Sequence, residues 1–224
     1  MRREQIKLQV GLSYTLMQTK GYGAPETKAA FELVQALIQR AEALGETAED
    51  PLALFSILYG VWVWNFAAFN SHAALDLAMQ FLTLAREQDA TLPLAIGHRM
   101  TASSFLVAGE IAKAREHFDS ASALYNEVKH RPLVARIGHD LGVMTLSHRG
   151  IDLWLLGYPD AARADIDRAL SQAREFQHAA TLMYALNYNS IMNALRRDIA
   201  NARVDELLAL ADERGALFWK ASGG

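Results

Sequence analysis

The sequence contains no cysteine, and only five prolines and fourteen glycines among 224 residues. Without thiols there is no disulfide framework, no thiolate zinc site and no cysteine nucleophile. The scarcity of glycine and proline, with 51% hydrophobic and 21% charged residues, excludes a collagenous or disordered chain. An excess of one charge is missing too. Lys and Arg number 22 against 25 Asp and Glu, a formal net charge of −3, so no broad attraction to phosphate backbones or anionic membranes is expected. The charged start Met1-Arg2-Arg3-Glu4-Gln5-Ile6-Lys7 leads into no apolar core of secretory type, and a cytoplasmic location is expected. The length suits one large domain or two small ones.

One long run lacks charge altogether, PLALFSILYGVWVWNFAAFN from Pro51 to Asn70. About 20 apolar residues can span a bilayer. Ser56, Gly60 and Asn65 interrupt this run, however, and no cluster of Lys or Arg flanks it. A helix that is apolar all round also belongs at the centre of a helical stack, and the run is read as such a helix.

The most informative feature is repetition. Segments 21–44, 70–88, 109–125 and 157–176 each place a turn before an alanine-rich amphipathic helix, and 197–215 does so more weakly. Gly109, Ala114, Phe118 and Ala121 are matched in spacing by Gly157, Ala162, Ile166 and Ala169. With Ala30, Ala74, Ala114, Ala162 and Ala202 taken as equivalent, the intervals are 44, 40, 48 and 40 residues. Such a period holds two helices and their turns. Small alanines let helices approach closely while the bulky residue between them fills the gap. Pro25-Glu26 and Pro159-Asp160 have the form of a helix start, proline first and an acid in the first turn.

The pattern predicts an all-α, tetratricopeptide-like right-handed solenoid of about five helical hairpins. Its helices run over 2–20, 25–44, 51–69, 72–88, 92–108, 111–128, 135–156, 159–176, 178–195 and 199–213. The repeats are 2–44, 51–88, 92–128, 135–176 and 178–213, together a single helical-repeat domain over 1–215. Residues 216–224 read as the truncated start of a further helix and a flexible tail, as expected of a fragment of a longer chain or of an end covered by a partner.

The segments LSYTLMQTKGYGAPE (12–26) and DLWLLGYPDAARA (152–164) resemble the C-terminal repeat region of bacterial multidomain signalling ATPases, both adenylate/guanylate cyclase-linked and maltose-regulator-like. The resemblance runs from about Leu8 to Trp219 and is weakest over 178–215, where Asn187, Asn189 and Asn193 replace alanine and aromatic positions. GHDLGV (138–143) also resembles that region, which often has proline where Leu141 stands. It implies a regulatory, protein-interacting arm of a larger signalling protein, with ATPase or cyclase domains attached elsewhere in the polypeptide. No catalytic residue is carried over.

Motifs for chemistry are absent. Gly-Lys does not occur, so there is no phosphate-binding loop of Walker type, and Gly21-Tyr22-Gly23 reads as a helix-ending turn. His139 and His148 are nine residues apart, which puts them on opposite faces of one helix, and His98-Arg99 and His130-Arg131 set a cation beside the imidazole. Glu116 and Asp119 fit a solvated face, and Ser103-Ser104 lacks the strand-to-helix elbow of a hydrolase. Arginines 163, 168 and 174 alternate with acids and form no nucleic-acid stripe. The reading is of a non-enzyme with no catalytic residue, metal or cofactor, and no contact with nucleic acid or membrane.

What remains is the concave side, lined in such stacks by the first helix of each hairpin. Counting fifteen residues back from each aligned alanine gives Tyr59, Arg99, Ser147 and Asn187, with Trp62, His98, His139, Asp140, Tyr184 and Asn189 in the same helices. Tyr59, Arg99, His139, Asp140, Asn187 and Asn189 are the groove candidates. Packing is the competing role: Tyr59 and Trp62 also suit a core, His98 a contact between helices, and Asp140 a pair with Arg136. The expected function is a regulatory module that binds a protein segment or a small effector in this groove. The alternative is self-association through exposed ends, by Leu217, Phe218 and Trp219 or by the first helix around Leu8, Val10 and Leu12, giving a homodimer.

Overall fold

The computed structural model describes residues 2–21, 23–43, 51–133, 138–197, 202–216 and 218–220, and among them it is all-helical, with no strand. Ten long helices follow one another: α1 (Arg2–Lys20), α2 (Pro25–Ala43), α3 (Pro51–Ala67), α4 (Ser71–Glu87), α5 (Thr91–Val107), α6 (Ile111–Leu124), α7 (Leu141–Leu155), α8 (Pro159–Phe176), α9 (Ala179–Leu195) and α10 (Ala202–Arg214). A one-turn helix (Glu127–His130) and a single 3₁₀ turn (Arg131–Leu133) lie between α6 and α7.

Each helix packs against its chain neighbour, and α3, α5, α7 and α9 also touch in succession. The odd-numbered helices therefore form one row and the even-numbered helices lean on it from outside. The alanine spacing explains the approach: Ala74, Ala114 and Ala162 are fully buried, as are Phe118 and Ile166 between them. Glycines on the odd row bring helices closer still. A Cβ on Gly150 would lie 2.6 Å from Cγ1 of Ile166 and 3.2 Å from the carbonyl of Ala162. No helix among the described residues is long and apolar enough to cross a membrane. The charge-free run forms α3, whose Phe55, Ile57, Leu58, Tyr59, Val61, Trp62 and Val63 are all buried in the main core.

A recurring left-handed residue closes the odd helices: Gly21, Phe69, Gly109, Gly157 and Arg197 all have positive φ. At three of them the same pair of backbone bonds forms. The N–H groups of Phe69 and Asn70 reach the carbonyls of Phe66 and Asn65, and the equivalent pairs recur at Gly109-Glu110 and Gly157-Tyr158. This is the Schellman arrangement, which satisfies the last carbonyls of a helix and turns the chain back.

Two expectations need correction. The seventh helix starts at Leu141, not at 135. Asp140 is its N-cap, the Asp140 carboxylate accepting from the Val143 N–H at 2.9 Å, so GHDLGV is a helix start, where an acid and glycines belong. Trp219 is not an exposed end residue: it is only 4% exposed and belongs to the main core, which reaches from Met17 to Trp219.

Candidate functional site

The odd-numbered row carries a strip of polar and aromatic side chains that faces into the molecule. At its centre is Arg99 on α5, 2% exposed. Its guanidinium lies over Trp62, 5.0 Å from the ring centroid, and over Tyr59 at 5.7 Å, both on α3. Nη2 donates to the Tyr59 hydroxyl at 3.3 Å, and that hydroxyl points to Sδ of Met144 on α7 at 4.0 Å. The buried Nε–H has no hydrogen-bond partner, and among the described residues no carboxylate forms an ion pair with Arg99. A buried charge without a counter-ion is costly, because the low-dielectric interior returns little of its lost hydration.

His139 lies just before the cap of α7. It is 3% exposed, its Nε2 is also without a partner, and its ring lies 5.2 Å from Tyr184 of α9 and 6.1 Å from Trp219. Burial, then the charges of His178 and Arg99, push its pKa down to about 3, so the imidazole is neutral at ordinary pH. The charge of Arg99 also acts on His148, Tyr184 and Tyr188, in each case as a lesser cause than burial.

Next along the strip, His148 is fully satisfied. Nδ1 meets Oγ of Ser103 at 2.6 Å, and Nε2 meets the hydroxyl of Tyr184 at 2.8 Å and that of Tyr188. One phenol O–H fills the single lone pair of Nε2, which leaves Nδ1–H to donate to Ser103. Burial above all holds His148 well below the usual imidazole range and raises Tyr184. Ser103 and His148 have the reach of a nucleophile and its base, but both are enclosed, and the base is oriented by phenols instead of a carboxylate. Trp62 donates from Nε1 to Ser104 at 2.9 Å, which fixes the indole beneath Arg99.

The structure thus brings Tyr59 and Arg99 into contact, sets His139 against Tyr184 and Trp219, and gives several of the other candidates partners of their own. Asp140 is fully buried, but its second oxygen accepts from the Tyr125 hydroxyl at 2.6 Å, and Arg131 lies 3.7 Å away. Its backbone N–H donates to Thr181 at 3.1 Å. Asp140 is therefore tied into the α6–α7 connection, and the Arg136 named as its partner lies outside the described residues. Ser147 bonds its own helix at Val143, and Asn189 is buried and accepts from Asn193 at 3.2 Å. Asn187 is half-buried on α9. Of the end residues, Leu217 lies outside the described residues, Phe218 is half-buried, and Trp219 covers His139 and Tyr184 at 6.1 and 6.0 Å.

Other buried polar groups stand apart. Asp152 of α7 is fully buried with neither oxygen bonded, and burial is the main cause that pushes its pKa up to about 6. Beside it Arg149 grips Asp165 through two bonds of 2.7 and 2.9 Å. His98 meets His117 across α5 and α6, Nδ1 to Nδ1 at 3.2 Å, the inter-helix role foreseen for it. Burial, then His117 and Arg86, lower His98 to about 4. Among the described residues no three His, Asp or Glu side chains converge as metal ligands.

Sequence reasoning reached Arg99 and Tyr59 through the repeat register, and His139 only as a polar residue of the helix expected around Ser147. It missed that Arg99 has no acid paired with it among the described residues, because no spacing rule reports on residues from other helices. No protein-family model, curated protein or solved structure matches this chain.

Proposed function

We propose that the protein is a regulatory helical-repeat module of tetratricopeptide type that binds a ligand on the inner face of its odd-numbered helices. The two rows of helices and the recurring left-handed turn support the solenoid reading. The observation that carries the function is Arg99, a buried cation with an unused N–H in an aromatic cage. Interiors rarely keep such a group unless something compensates it, and a bound ligand can do so. Binding there bridges α3, α5, α7 and α9 at once. It would favour one curvature of the stack, and that shift in population is what attached ATPase or cyclase domains would sense.

The test is a thermal-shift screen of the full chain against a mixed library of metabolites and peptides, repeated with Arg99 and Asn187 substituted. The reading expects a ligand that stabilises the wild type, loses affinity in one of these variants and leaves molar mass unchanged. Absence of any stabilising compound would sink it.

One observation favours the second reading, self-association. Leu8 is 73% and Leu12 49% exposed, one turn apart on α1. That face, and not the buried Trp219, is where a second copy would pack. Light scattering over a wide concentration range, with Leu8→Gln as control, tests it.

A further inference from the structure

We infer that His98 of α5 and His117 of α6 are the two protein ligands of an open zinc site that joins those helices, with water in the remaining positions. The site uses none of the groups around Arg99.

The two rings come from neighbouring helices and meet at a half-buried position, with their Nδ1 atoms 3.2 Å apart. That separation distinguishes between metal geometries. Two Zn–N bonds of about 2.05 Å at the tetrahedral angle set their nitrogens about 3.3 Å apart. Adjacent ligands of a square-planar ion come to about 2.9 Å, and opposite ligands to about 4 Å. The aim of the rings agrees. An imidazole centroid lies about 1.15 Å behind its nitrogen, so two rings on one tetrahedral zinc have centroids about 5.2 Å apart. Rings set end to end in a hydrogen bond of 3.2 Å would have them about 5.5 Å apart. The observed value is 5.1 Å. The chain has no thiolate to offer, and imidazole nitrogen with water is a ligand set that suits Zn²⁺.

The protonation of the pair allows the change. Burial, then His117 and Arg86, lower His98 to about 4, and burial followed by Arg86 lowers His117 against the pull of Glu116. Both rings are therefore neutral near pH 7, and one Nδ1–H donates to the other Nδ1. Zinc binding moves that hydrogen, through water, to Nε2 of the same ring. Both Nδ1 lone pairs then face the ion, and no net proton is released.

The charges nearby set the affinity. Arg99 follows His98 directly, but successive helix residues point about 100° apart. Arg99 turns to Tyr59 and Trp62 of α3, whereas His98 turns to α6. Lys113 lies over Phe105, whose ring is 5.7 Å from His117, and is paired with Glu110 at 3.2 Å. The opposing charge is Arg86 of α4, which is exposed and acts on both histidines.

The experiment is calorimetric titration of the full chain with zinc chloride near neutral pH, with cobalt chloride as a visible-absorption probe. One Zn²⁺ is expected to bind saturably and to raise the melting temperature, and Co²⁺ to give the intense bands of a four-coordinate ion. His98→Gln and His117→Gln should each lower Zn²⁺ affinity by roughly a hundredfold, the upper end of what loss of a ligand's supporting partner costs. His72→Gln, at an exposed histidine on α4, should leave it unchanged. Arg86→Gln should raise affinity about two- to fivefold, the size of one exposed charge interaction. That exposed substitution decides the matter if a glutamine variant of the pair does not fold. No saturable binding, a pale six-coordinate cobalt spectrum, an affinity unchanged in either variant of the pair, or no gain in Arg86→Gln would each overturn the assignment.

Discussion

Replacing Arg99 with methionine separates a residue kept for binding from one kept for stability. The guanidinium gains about 1 kcal/mol from its hydrogen bond to Tyr59. The faces of Trp62 and Tyr59 add about 2 kcal/mol in a desolvated setting. Against these stands a desolvation cost of several kcal/mol for a buried ion without a counter-charge. Methionine retains an unbranched apolar stem and adapts to irregular space. Arg99→Met is therefore expected to be neutral or to stabilise the chain by about 1–2 kcal/mol. In a domain of this size that raises the melting temperature by roughly 2–4 °C per kcal/mol. Urea unfolding followed by circular dichroism at 222 nm, an ordinary wavelength for helix, would measure it. A loss of more than about 3 kcal/mol, the figure for breaking a compensated buried pair, would show that the charge is balanced and would refute the reasoning.

Trp219→Ala should destabilise the chain by about 3 kcal/mol through lost packing on His139 and Tyr184, with no change in molar mass by light scattering. Gly150→Ala should cost about 1–3 kcal/mol in chemical denaturation, since its Cβ would overlap Ile166 and press on the Ala162 carbonyl. Phe69→Gly should raise stability by about 0.5–1 kcal/mol, because Phe69 is 79% exposed and sits at φ 57°, which glycine adopts without strain. Acidification should destabilise the fold. With His139 at about 3 when folded, the unfolded chain takes up the proton first, so stability falls as pH drops below about 6.5, by at most about 1.4 kcal/mol per pH unit. His98, at about 4, adds to the fall. Asp152, raised to about 6, takes up its proton in the folded state first and opposes them below that pH. A melting temperature unchanged from neutral pH to about 5 would contradict neutral buried imidazoles, and His139→Gln should flatten the slope.

The local rules of the chain were legible without coordinates. Alanines at helical spacing, prolines opening α2 and α8 and glycines closing α5 and α7 placed most helix ends within a residue or two, because caps and helix periodicity depend only on near neighbours. Where the turn used Phe69 or Arg197 in place of glycine, that signal vanished from the sequence while the backbone repeated it. The start of α7 was misplaced for a related reason. Asp140 reads equally as a helix interior residue or a cap until its bonds to Val143 and Tyr125 are seen. The register alone brought Tyr59 and Arg99 into view, since equivalent positions of a repeat fall on one face. Only the tertiary structure decided that Arg99 lies buried with no acid among the described residues, that His139 keeps an unused nitrogen, and that Trp219 folds back over it. Burial and counter-charge depend on side chains delivered from α3, α7, α9 and the chain end together, and that assembly is a property of packing, which no single segment encodes.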